Sequence, residues 1–67
     1  MNEDVLNTSV RKFLKTVGVT SQREIEKALQ RAMAEGKLRG NSPLATAVTL
    51  SSDKVGLNVT IHSRIDL

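Results

Sequence analysis

A chain of 67 residues makes one small domain at most, and with Phe13 as its one aromatic side chain any core must be aliphatic. It has no Trp or Tyr on which bases or sugars could stack, and no cysteine for disulfides, thiolate zinc sites or thiol nucleophiles. The net charge of +3 sits wholly in the first forty residues, which hold eight Lys/Arg against five Asp/Glu; the remainder holds two against two.

The first predicted element is a helix over about residues 2–16. Leu6, Val10, Phe13, Leu14 and Val17 recur at helical spacing and define one apolar face. Glu3 and Asp4 lie at its start and Arg11, Lys12 and Lys15 toward its end, the placement that the helix dipole favours. Gly18 reads as its stop, because glycine reaches the left-handed conformation without a Cβ penalty. Ser21 and Glu24 then fit a capping box, S-x-x-E, with Thr20 as the rival cap.

That signal launches a second predicted helix over about residues 22–35. Ile25, Ala28, Leu29, Ala32 and Met33 share its apolar face, and Gly36 ends it. Arg23, Lys27 and Arg31 follow one another at intervals of four and form a basic stripe. Glu24, Glu26 and Glu35 stand beside the stripe, within pairing reach on a helix surface.

Gly40-Asn41-Ser42-Pro43 breaks the chain, and beyond it the period changes from helical to two. Strands are predicted over about residues 44–51 and 57–66, joined by a turn in Ser52–Gly56. Leu50 facing Leu57, or Leu50 facing Val55, puts both apolar rows on the same side; one-residue slips do not. The other side carries Ala45, Ala47, Thr49 and Ser51 beside Asn58, Thr60 and His62, and is small, flat and nearly uncharged.

The expected fold is therefore α+β in the order ααββ, with two amphipathic helices packed on one face of a C-terminal antiparallel β-hairpin. The expected core is Leu6, Val10, Phe13, Leu14, Val17, Ile25, Leu29, Met33, Val48, Leu50, Leu57, Val59 and Ile61.

Nothing in the sequence builds a catalytic or metal centre. His62 is the only histidine. On a strand it points away from Ser63, and Asp66 lies about 13 Å further along. Gly36-Lys37 lacks the upstream glycine of a phosphate-binding loop, and no spaced ligand set exists. No cofactor is expected, and an enzyme is the least favoured class.

Two binding readings follow. A lone two-stranded sheet is marginal and its edges are unprotected. The first reading is thus a non-enzymatic protein-interaction or self-association module. It would use the hairpin's edge and its bare face, Ala45, Ala47, Thr49, Thr60 and His62, to bind a second copy or an unknown protein partner. The alternative is nucleic-acid binding through Gln22, Arg23, Lys27 and Arg31. Residues Phe13–Thr20 and the helix after them resemble a helix-turn-helix corner, with the hairpin as a wing. The third helix of such domains has no counterpart here, and Glu24 and Lys27 fall where apolar residues belong. The start of the chain is acidic and lacks an apolar leader, and no run approaches the ~18 apolar residues of a membrane span. A cytoplasmic protein without membrane attachment is expected.

Met1-Asn2-Glu3-Asp4, Ser9-Val10-Arg11-Lys12-Phe13-Leu14-Lys15, Val17–Glu26 and Gly36-Lys37-Leu38 together resemble a family of short bacterial proteins of unknown function. The likeness spans nearly the whole chain. It implies a bacterial, cytoplasmic, single-domain protein, and it brings no activity, ligand or site residue with it.

Overall fold

The computed structural model describes residues 1–38 and 42–67. The element order is α1 (Glu3–Ala34), β1 (Leu44–Ser52), one 3₁₀ turn (Asp53–Val55) and β2 (Leu57–Ile65). The α+β class stands, but the two expected helices are one.

α1 starts at Asn2, whose side-chain oxygen accepts from the amides of Asp4 at 2.9 Å and Val5 at 3.1 Å. It then runs unbroken through Gly18. Gly18 is therefore no stop, Ser21 is no cap, and the helix-turn-helix corner does not form. The physical reason lies in the apolar pattern. Leu6, Val10, Leu14, Val17, Ser21, Ile25 and Leu29 succeed one another at steps of three or four, so the same face continues across the glycine. Glycine costs about 1 kcal/mol in a helix interior relative to alanine, and no proline is there to add a steric veto.

The real stop is at Gly36. Its φ is 71°, its amide bonds to the Met33 carbonyl at 3.1 Å, and the Lys37 amide bonds to the Ala32 carbonyl at 2.9 Å. This pair of bonds is the Schellman arrangement, which uses carbonyls the helix end leaves without partners. Of the predicted break at Gly40-Asn41-Ser42-Pro43, Gly40 and Asn41 lie outside the described residues.

β1 and β2 form a two-stranded antiparallel sheet, paired from Leu44↔Ile65 to Ser52↔Leu57. Leu50 faces Val59, not Leu57 or Val55. This register still keeps the predicted parity, so both apolar rows share one side. Four residues, Asp53–Gly56, close the turn; Gly56 adopts φ 67° and its amide bonds to the Asp53 carbonyl at 3.2 Å.

α1 lies over the β1 side of this sheet. Val17, Ser21, Ile25, Leu29 and Ala32 are half-buried on the helix, as are Leu44, Thr46, Val48 and Leu50 on β1. Phe13 and Val17 border a groove with Leu50 and Leu57, and Ile25 borders another with Thr46, Val48, Ile61 and Ile65. Later helix residues thus meet earlier strand residues, and β1 runs antiparallel to α1.

No described residue is buried. Of the expected core, Val17, Ile25, Leu29, Val48 and Leu50 are half-buried, while Leu6, Val10, Phe13, Leu14, Met33, Leu57, Val59 and Ile61 are exposed. The cause is the single helix. A 32-residue helix is about 48 Å long, whereas a nine-residue strand spans about 30 Å. The N-terminal turns that were expected to fold back onto the sheet extend past it instead. The longest dimension is accordingly 50 Å and the radius of gyration 15.9 Å, against about 11 Å for a compact chain of this length.

Candidate interaction surface

Three surfaces carry the residues singled out by sequence. The first is apolar and divided between helix and sheet. On α1, Leu6, Val10 and Leu14 continue the face that meets β1 and stay exposed, and Phe13, at the rim of the groove with Leu50 and Leu57, is exposed as well. On β2, Leu57, Val59 and Ile61 point to the helix side by their pairing with Ser52, Leu50 and Val48. They remain 40%, 47% and 54% exposed because the helix covers β1 rather than β2. Sequence reasoning assigned all of these residues to a core. For the α1 residues, the signal that could have revealed a surface was the unbroken helical period across Gly18.

The second surface is the outer side of the hairpin. Ala45, Ala47, Thr49, Thr60 and His62 all lie there and are all exposed. Ala47 faces His62, and the Thr49 and Thr60 hydroxyl oxygens are 3.0 Å apart. A shallow depression between Ala45, Ala47, His62 and Arg64 is open to solvent. His62 has no acid or nucleophile set against it in the pairing, and no cluster of metal-ligating side chains exists among the described residues.

The third surface is the basic side of α1. At 100° per residue, Arg23, Lys27 and Arg31 project from the side opposite the half-buried residues, and Gln22 lies at that side's margin. All four are exposed. Lys27 pairs with Glu24, three residues before it, at 3.7 Å. Among the described residues Arg23 and Arg31 form no ion pair; Glu35 instead bonds Lys37 at 2.8 Å. Such exposed pairs contribute little to stability. Because the helix does not turn at Gly18, Arg11, Lys12 and Lys15 belong to the same rod as the stripe.

The model of DUF6494, a family of unknown function, matches residues 1–67. The chain belongs to DUF6494. The resemblance, which spanned nearly the whole chain, is thus borne out over its full length, and it brings no site residue with it. No curated protein and no solved structure matches the chain. No helix among the described residues is long and apolar enough to cross a membrane. The surfaces of this DUF6494 member must therefore be judged by their own chemistry.

Proposed function

We propose that this chain is a non-enzymatic self-association module. The observation that carries the reading is the absence of any buried residue among those described, although apolar side chains line one side of both helix and sheet. Aliphatic burial is the main favourable term in folding. A chain that half-buries a few apolar side chains and fully buries none of those described gains more of that term by meeting a partner with the same need. A second copy is the partner that is always present. Sedimentation equilibrium across micromolar concentrations tests this. The expected result is a dimer or a larger closed assembly whose helical content falls on dilution; a folded monomer at every concentration would reject the reading.

A second reading is nucleic-acid binding by the basic side of α1. It is favoured by Arg23, Lys27 and Arg31 facing away from the hairpin, where association through the apolar side leaves them free. It requires no helix-turn-helix, only the basic side of one helix laid along phosphates. Titration with random duplex DNA should then show binding that weakens steeply with salt, as counterion release demands. Equal binding after Lys27→Glu with Arg31→Glu would exclude it.

A further inference from the structure

We infer that two copies join edge to edge through β2, forming a four-stranded antiparallel sheet in the order β1-β2-β2-β1 with both helices on one side. This rests on the self-association reading and specifies its geometry.

A compact monomer of 7.3 kDa exposes about 4,200 Å², and this chain exposes 6162 Å². The excess is about 2,000 Å² per copy, or about 4,000 Å² for a pair, which falls in the range of obligate homodimer interfaces.

The choice of edge follows from where the helix lies. β1's apolar row, Leu44, Val48 and Leu50, is half-buried beneath α1, whereas of β2's row only Ile65 at the end is half-buried and Leu57, Val59 and Ile61 are exposed. Joining the sheet at β1 would leave both β2 rows at the outer margins, still uncovered. Joining it at β2 brings the two open rows side by side in the centre, between two flanking helices. β2 also lacks the usual guards of an edge strand. From Leu57 to Ser63 it has no Lys, no Pro and no bulge against β1, and its only charge is Arg64 near the end.

The register is constrained by parity. The odd-numbered residues of β2 face the helix, so an antiparallel self-pairing must put odd opposite odd to keep one apolar side. The register with greatest overlap places Ile61 on the two-fold axis, with Leu57 opposite the partner's Ile65 and Val59 opposite the partner's Ser63. The two helices then run antiparallel, with the two β2 strands between them.

The test combines sedimentation with mixed-label NMR on the full chain, one copy carrying ¹⁵N and ¹³C and the other unlabelled. The expected result is a dimer with intermolecular contacts between β2 backbone protons, strongest around Ile61. A dimer whose intermolecular contacts run instead between β1 edges, outer hairpin faces or helices alone would overturn this geometry and leave self-association standing. A monomer at NMR concentrations would overturn both.

Discussion

Val17 and Ile25 are both half-buried against the hairpin, on the same side of one uninterrupted helix, with Gly18 between them. Their shared orientation depends on Gly18 keeping helical geometry. A Cβ added there meets nothing within 4 Å. Gly18→Ala should therefore raise the thermal midpoint and helical content, by about 1 kcal/mol in stability from the helix propensity difference. Circular dichroism melts check this. A destabilised Gly18→Ala protein would mean that the chain turns at Gly18 after all.

Gly56 should respond to the same substitution with the opposite sign. It too has open space around it, but its φ is 67°. An alanine there must adopt the left-handed region, which costs about 1–2 kcal/mol. Gly56→Ala should lower the melting midpoint, and Gly56→Asn should cost less, since asparagine tolerates that region better. Equal melting of Gly56→Ala and the parent would remove the turn geometry from the account.

The contrast between these glycines explains how much of the fold the sequence made legible. Gly36 follows one apolar periodic run, Gly56 directly precedes another, and each sits at positive φ. Gly18 is followed by a good capping sequence, so locally it looks the same. What separates it is longer-range: the apolar face resumes in phase at Ile25 and Leu29, as it does not after Gly36. Local stop and start signals weigh about 1 kcal/mol each, comparable to the cost of one helical glycine, so they cannot decide the matter alone. The hairpin was legible because alternation fixes strand faces, and the turn shifted its register only in steps of two. The surface was harder to see, since Leu57, Val59 and Ile61 carry the same pattern whether a helix covers them or a partner does.

The helix start makes an independent prediction. Asn2 accepts from two amides that would otherwise lack partners. Asn2→Ala should cost about 1 kcal/mol of helix stability. Amide exchange should accelerate at Asp4 and Val5 first, while Gly56 and the strands are unaffected. Uniform acceleration across the chain would instead mean that the N-terminal turns are essential to the whole assembly.

A pair of charge insertions decides which side of the hairpin associates. Ile61 stands on the helix side and Ala47 on the outer side, one residue out of phase across the same ladder. Both are exposed within a single copy, so neither Ile61→Glu nor Ala47→Glu buries a charge in the monomer. If the apolar side is the contact, Ile61→Glu places two like charges at the two-fold axis of a dry interface. It should weaken association by at least tenfold, because an unpaired charge there loses its hydration. Ala47→Glu should leave the assembly intact. The reverse outcome, with Ala47→Glu alone dissociating the protein, would identify Ala45, Ala47, Thr49, Thr60 and His62 as the contact surface. Sedimentation of the two variants, with far-ultraviolet spectra to follow their helical content, distinguishes the cases.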